Sequence, residues 1–389
     1  MTAGPRLRAI TDWAVILLFL GAIGLPLLGT FFLAQFNKAA NDMRALAPMP
    51  ELRLKGSVLK AFPDKFNQYW SDNFGFRGTL IRFLNVAKVR WLRVSTSAYV
   101  LLGKASWLFY TPHQAGTNYD GVRPFTPQEL DDWRRVLEQR RDWLEKRGCR
   151  YLVFIPPDKQ TIYPEYLDPV FRSRHDQSRL DQLLNHLRDH HSPVQILDVR
   201  QPMLATKTRE RLYHRTDAHW NDRGAFIGYQ HLAGTLSHWF PAVQPWSRSD
   251  FEEATMDRPG GDLATMVYLA EVAHEEWLNL LPRRPHLAHA AKEGVAWPKE
   301  KLEETFPLGK PFATECDDPP LPRAVMFHDS FCLAMQPFLS EHFRRIAYVW
   351  HDDFFPAVVE SERPDVVIQE LLERKLTYVK PKAIGQTQP

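Results

Sequence analysis

Two short stretches of this chain place reactive side chains where chemistry is feasible. Ser330 closes the run Ala324-Val-Met-Phe-His-Asp-Ser330, where an apolar strand pattern gives way to a helical one. A serine at a strand-to-helix turn lies outside the carboxyl end of a buried strand, the place where open α/β sheets put their ligands. The amides of Ser330 and its successors would face a developing oxyanion at a helix N-terminus. The same position also suits a plain N-cap. Asp217 and His219 sit together in Thr216-Asp-Ala-His-Trp-Asn221. A serine hydroxyl is a poor nucleophile without a base to take its proton. A neutral histidine can take it near pH 7 if a carboxylate fixes its tautomer and stabilises the imidazolium. An Asp two residues from a His on a turn can reach the ring nitrogen. The alternatives are a structural turn, with Asn221 capping a helix from Asp222, and two ligands of a metal site that lacks an evident third.

Other polar residues fall at suggestive places. Pro157-Asp-Lys159 follows the apolar run Tyr151 to Ile155, so Lys159 could hold a carboxylate or orient a loop, or be a surface residue. Asp329 is a second carboxylate beside Ser330 and reads as packing against the turn. His190-His191 reads as a solvated helix end, and His351-Asp-Asp353 as a solvated loop. The twelve Trp suit sugar stacking and suit an aromatic core equally.

The elements that must position these groups follow from periodicity. Thr126, Pro127 and Glu129 spell a capping box with proline at the first helical position. Leu130, Trp133, Leu137 and Leu144 make the buried stripe of that helix, and Gly148 stops it. Tyr151 to Ile155 then reads as a strand buried on both faces. A helix marked by Leu180, Leu183, Leu184 and Leu187 follows, then a strand over Val194 to Val199 and a helix over Ala225 to Phe240. Residues 241 to 320 carry no clear pattern. Strands at Ala324 to Phe327, Ile346 to Trp350 and Val366 to Ile368 follow, with a helix near Leu371 to Leu376. Strands separated by helices predict a doubly wound, mostly parallel sheet. Upstream, Leu80, Ile81, Leu84, Ala87 and Trp91 share one helical face, and Val100 to Tyr110 reads as strand and turn.

The amino terminus adds a membrane expectation. Trp13 to Ala34 holds 22 residues without a charge, about 33 Å as a helix against a hydrocarbon core of about 30 Å. Arg6 and Arg8 precede it and favour a cytoplasmic amino terminus. A cleaved signal peptide is the rival, without a good cleavage site after the run. Either way the rest of the chain is exported. The 389 residues carry a net charge of +3 with scattered Lys and Arg, which gives no nucleic-acid footprint. Cys149, Cys316 and Cys332 are too few for a disulfide framework and read as free thiols.

Several blocks, in order, complete the reading. They are Phe62-Pro with Asp72-Asn-Phe-Gly-Phe-Arg77, Gly103-Lys-Ala-Ser-Trp-Leu-Phe109, Pro157-Asp-Lys159 with Tyr163-Pro-Glu-Tyr166, and Thr216-Asp-Ala-His-Trp-Asn221. Gly261-Asp-Leu-Ala264, His328-Asp-Ser-Phe331 and Pro364-Asp-Val-Val-Ile368 with Glu373-Arg374 follow. The chain resembles the alginate O-acetyltransferase family of the AlgX and AlgJ type, whose catalytic domain is SGNH-hydrolase-like. The resemblance implies an SGNH-like α/β fold with catalytic Ser330, His219 and Asp217. It implies substrate contacts near Lys159, Trp220, Asn221 and His328, and no metal or other cofactor. It implies O-acetyl transfer to an exopolysaccharide through an acetyl-serine, with a membrane-bound O-acyltransferase partner as donor. The chain would sit in the inner membrane with its catalytic domain in the periplasm. Esterase activity or a non-catalytic scaffold role are the alternatives. Two residues depart from the pattern: His328 stands where the serine block has Gly, and Ser106 where the tryptophan block has Gly. No carbohydrate-binding module is expected. The expected divisions are an anchor over 1–40, a linker and aromatic-rich segment over 41–125, a catalytic domain over 126–381 and a tail over 382–389.

Overall fold

In the computed structural model, residues 5–32, 46–52, 56–111, 123–171, 177–297 and 309–385 are described. The end of the apolar run at 33–34, most of the polar linker and the last residues of the tail lie outside them. The chain divides into two units, residues 1–97 with 264–272, and residues 98–263 with 273–389.

The first unit is helical. Helix α1 (Pro5–Phe32) contains an apolar stretch, Asp12–Thr30, of mean hydropathy 2.1. Helices α2 (Gly56–Asn73) and α3 (Arg77–Ala87) follow, and α3 runs on into a π-turn at Lys88–Leu92.

The second unit opens on an antiparallel pair, β1 (Val100–Leu102) and β2 (Leu108–Tyr110). Helix α4 (Pro127–Glu145) starts at the expected capping box: Thr126 Oγ1 accepts from the Glu129 amide and the Glu129 carboxylate accepts from the Thr126 amide. The chain continues through β3 (Arg150–Ile155), α5 (Lys159–Ile162), α6 (Arg179–Asp189), β4 (Ile196–Asp198), α7 (Arg200–Thr206) and α8 (Asp222–Ser237). The patternless region forms an antiparallel pair, β5 (Phe251–Arg258) with β6 (Glu275–Pro282), then β7 (His289–Ala290) and β8 (Phe312–Glu315). Strands β9 (Arg323–His328), β10 (Arg345–Trp350) and β11 (Val366–Glu370) complete the series.

The main sheet has the order β4-β3-β11-β9-β10-β8-β7. The first five strands are parallel, and β8 and β7 form an antiparallel edge. Alternation sends Ala324 and Met326 of β9 into one core, with Leu232 and Leu236 of α8. Val325 and Phe327 enter the other, with Trp133 of α4 and Leu183 of α6. Helices therefore cover both faces, and β9 and β11 are central strands, buried on both sides as their apolar runs require.

Two elements are shorter than expected. The helix after β9 is only a 3₁₀ turn, Ser330–Ala334, followed by a single helical turn at Gln336–Leu339, because Pro337 cannot donate to an earlier carbonyl. The final helix is a 3₁₀ turn, Glu373–Thr377. The segment carrying Leu80, Leu84 and Trp91 is helical, as expected, and these side chains are exposed. Cys149, Cys316 and Cys332 are free and buried. Ser106 has φ 63°, a left-handed conformation that a glycine adopts without strain.

Candidate active site

The polypeptide leaves the central strand β9 at His328 and turns sharply, which lifts Ser330 over the carboxyl edge of the sheet. Asp329 shapes this turn. Its Oδ1 accepts from the Phe331 amide at 2.9 Å, and its Oδ2 accepts from the Leu372 amide at 3.2 Å and from Lys375 Nζ at 2.9 Å. Its own amide donates to Glu370 Oε2 at 2.7 Å. Burial works against the Asp329 charge, but Lys375 holds its carboxyl down to about 2. Glu370, fully enclosed beside that charge, is pushed well above the carboxylate range, first by burial and then by Asp329. Asp329 is therefore the structural residue of the turn. The Phe331 amide, one of the expected oxyanion donors, is already taken.

The segment before α8 brings the base. Residues Tyr213 and Trp220 pair across a tight turn, and the Asn221 amide donates to the Leu212 carbonyl at 2.9 Å. Within this turn Asp217 Oδ1 accepts from both the His219 amide (2.9 Å) and His219 Nδ1 (2.7 Å). His219 Nε2 lies 2.7 Å from Ser330 Oγ. The structure thus brings Ser330, His219 and Asp217 into one hydrogen-bonded chain across 111 residues of sequence. With Nδ1–H donated to Asp217, Nε2 carries the lone pair that faces the serine hydroxyl.

The electrostatics favour an ionised Asp217. Burial opposes its charge, but the hydrogen bond and charge of His219 and the Asp262 amide hold it well below the usual carboxylate range. For His219, burial pulls the pKa down, and the hydrogen bond and charge of Asp217, with Asp262 adding, more than offset that and raise it above its ordinary value.

Sequence reasoning overlooked what holds Asp217. The Asp262 amide donates to Asp217 Oδ2 at 3.0 Å, and Asp262 Oδ2 lies 3.7 Å from His219 Nδ1. Asp262 Oδ1 in turn accepts from the Ala218 amide at 2.7 Å. Gly261 lets this loop approach: a Cβ there would lie 2.4 Å from Asp217 Oδ2. The Gly-Asp pair was visible as a motif, but its target was not. Glu275 Oε2 accepts from the Arg215 amide at 2.8 Å and secures the other side of the turn. Asp217, His219 and Asp262 also cluster closely enough to hold a metal ion, although the Nε2 lone pair of His219 points at Ser330 instead.

The four expected substrate contacts have other employment. Lys159 is buried and its Nζ donates to the carbonyls of Leu108, Arg215 (2.9 Å) and Asp217 (2.9 Å). All three of its protons are spent, so it braces the base turn rather than meeting a ligand. Burial pulls this ammonium down to about 7, against the nearby carboxylates Glu275, Asp217 and Asp262. Trp220 is buried, and its Nε1–H donates to the Phe331 carbonyl at 3.0 Å, tying base turn to nucleophile turn. Asn221 is buried and caps α8 by accepting from the Gly224 amide. His328 points into the core, packing on Tyr348 and Trp350, with Nδ1 against the Asp329 carbonyl at 2.8 Å. The expected solvated loop at 351–353 is instead ion-paired: Asp352 to Lys375 and Asp353 to Lys382 (2.6 Å).

A doubly wound sheet with Ser, His and Asp joined beside the carboxyl ends of its parallel strands has the layout of a serine-hydrolase-like α/β protein. The family model described as the SGNH hydrolase-like domain of the acetyltransferase AlgX matches residues 100–295, and the chain belongs to this family. Among curated proteins, the chain is 27% identical over 198 residues to a probable alginate O-acetylase AlgJ of Pseudomonas syringae pv. tomato, covering 51% of this chain and 47% of that one. It is 31% identical over 140 residues to the probable alginate O-acetylase AlgJ of Pseudomonas putida, covering 36% of this chain and 34% of that one. The matches thus span about half or less of these relatives' length. Among solved structures, Bacillus cereus PatB1 superposes with a TM-score of 0.53 at 15% identity, covering 73% of this chain and 98% of that one, a likeness of fold.

Proposed function

We propose that this chain is an O-acetyltransferase that acetylates a polysaccharide through an acetyl-Ser330 intermediate. The observation that carries the proposal is the hydrogen-bonded chain Ser330 Oγ to His219 Nε2 to Asp217 Oδ1, each link 2.7 Å. In the first step Ser330 Oγ attacks the carbonyl carbon of an acetyl donor while its proton passes to His219 Nε2. The tetrahedral intermediate collapses, and the donor's leaving oxygen takes that proton. In the second step a sugar hydroxyl gives its proton to His219 and attacks the acetyl-serine. Collapse returns the proton to Ser330 Oγ and leaves the acetyl group as an ester on the sugar. Asp217 holds the tautomer and stabilises the imidazolium in both steps. With Phe331's amide committed to Asp329, the Ser330 amide is the turn's candidate oxyanion donor.

Family membership and the AlgJ relatives support acetyl transfer to a polysaccharide such as alginate. The apolar stretch of α1 supports a membrane anchor; on this reading the catalytic unit stands in the periplasm, and a membrane-bound O-acyltransferase is the proposed source of the acetyl group. An esterase reading has one observation in its favour: the His219 side chain is 30% exposed, so water can reach the base. The test is acetate release from a chromogenic acetate ester by the full chain, Ser330→Ala and His219→Ala, repeated with polysaccharide present. Loss of release in both variants, with acetyl moved to the polymer by the wild type, supports the transferase. Release without polymer acetylation favours the esterase, and equal background in all three proteins rules out this nucleophile.

A further inference from the structure

The helical stripe at residues 80–91 has no role in the site, and its exposure is unusual. Leu80, Phe83, Leu84 and Trp91 recur at helical spacing on α3 and its π-turn, and Phe83, Trp91 and Leu92 are 68%, 71% and 67% exposed. An isolated helix face of this size is costly to leave in water. From Arg77 to Tyr99 the sequence has five basic residues, Arg77, Arg82, Lys88, Arg90 and Arg93, and no acidic one. Arg77 Nε donates to the Ser71 carbonyl and Arg82 pairs with Glu271, which leaves Lys88, Arg90 and Arg93 to set the charge around the apolar face.

The start of α3 is fixed against α1 within the same unit. The Gly75 amide donates to Thr30 Oγ1 at 2.7 Å, and Thr30 Oγ1 donates to the Pro26 carbonyl at 2.9 Å. A Cβ on Gly75 would lie 2.3 Å from the Pro26 carbonyl oxygen, so only glycine permits the approach. The Phe76 ring lies against Gly29. Pro26 to Thr30 is the last turn of the apolar stretch Asp12–Thr30. Thr30 lies near the C-terminal end of the uncharged run Trp13–Ala34, so residue 77 begins close to the level at which the anchor would leave the hydrocarbon.

The geometry points to a lipid-binding surface: the apolar face of Leu80, Phe83, Leu84, Trp91 and Leu92 inserts into the membrane interface, and Lys88, Arg90 and Arg93 bind anionic headgroups. An amphipathic helix with aromatic and leucine residues on one face and cations beside it has this preference, and Trp favours the headgroup level. The inference rests on α1 being a membrane anchor. Its consequence is that α3 lies along the bilayer surface as a second attachment.

Trp13 and Trp91 allow both points to be read in one experiment. The full chain is reconstituted into phosphatidylcholine vesicles with brominated acyl chains, with or without phosphatidylglycerol. Fluorescence quenching is compared between wild type, Trp13→Phe and Trp91→Phe, so that each difference isolates one indole. Quenching of both components, with the Trp91 component stronger when phosphatidylglycerol is present and lost in Lys88→Glu/Arg90→Glu/Arg93→Glu, is the expected result. Helix content and ester hydrolysis of that triple variant remain those of wild type. Quenching of Trp13 without Trp91 leaves the anchor standing and overturns the lipid surface, pointing to a protein partner on that face. Quenching of neither overturns both. Trp91 quenching indifferent to phosphatidylglycerol and to the triple variant overturns the recognition of anionic headgroups.

Discussion

Replacing Asp217 by Asn tests the site at its most constrained point. Asp217 Oδ1 accepts two hydrogen bonds from His219 and Oδ2 accepts one from the Asp262 amide. Asn has one acceptor end and one donor end. With its oxygen toward His219 it keeps two bonds but sets its NH₂ against the Asp262 amide. The flipped orientation loses both bonds to His219 and presents a donor to Nδ1, which forces the proton onto Nε2 and leaves Ser330 without a base. The first orientation wins by count, at a cost of about 1–3 kcal/mol for the opposed donors. It still removes the charge that stabilises the imidazolium. The analogous change in a serine-protease triad costs about 10⁴ in kcat. Here Asp262, with Oδ2 at 3.7 Å from Nδ1, becomes easier to ionise once Asp217 is neutral, because the charge of Asp217 is one cause of its raised pKa. The expected loss in kcat/KM on a chromogenic acetate ester is therefore about 10²–10⁴, roughly 3–5 kcal/mol of transition-state stabilisation. Asp217→Asn/Asp262→Asn should lose more than the product of the single effects. If Asp217→Asn stays within about fivefold of wild type, the role given to Asp217 is wrong; if the two substitutions simply multiply, the back-up role of Asp262 is wrong.

Other expectations come from the same geometry. Gly261→Ala puts a methyl into Asp217, so kcat/KM should fall steeply while thermal unfolding shows a destabilisation of only about 1–3 kcal/mol. Lys159→Met strands three carbonyls and should lower stability by roughly 2–4 kcal/mol in denaturant unfolding, with activity falling because the base turn loosens. The raised pKa of His219 means that activity rises with pH through a value above 6.5, and Asp262→Asn should move that limb to lower pH. The same shift stabilises the fold fully below pH 6.5 and the contribution is lost as pH climbs through the folded-state pKa. His219→Gln should abolish this part of the pH dependence of unfolding. Ser106→Gly relieves a left-handed residue and should raise stability by about 0.5–1 kcal/mol, the strain of about 1–2 less the entropy of glycine.

The sequence by itself determined the pieces whose causes are local. Thr126 and Glu129 announce the start of α4 because a capping box involves residues three apart, and the box forms. The continuous apolar runs at β3, β9 and β11 dictate strands buried on both faces, which places them inside a two-sided sheet. Asp217 reaches His219 because a two-residue spacing on a turn suffices. Tertiary structure alone decided the rest. Ser330 meets His219 because β9 lies at the centre of the sheet, where the turn before α8 can reach it, a juxtaposition across 111 residues. Lys159 follows a strand as a binding residue might, yet the closure of β2 and the base turn around it turns its three protons inward. Asp329, Lys375 and Glu370 form one buried network only because β9 and β11 are neighbours. The stripe at Leu80 to Trp91 has core periodicity, but periodicity says only that a face is apolar. What covers that face depends on where the helix is pinned, and Gly75 pins it to the end of α1. Local interactions select the elements. The destination of each side chain is a long-range packing outcome that no window of sequence contains.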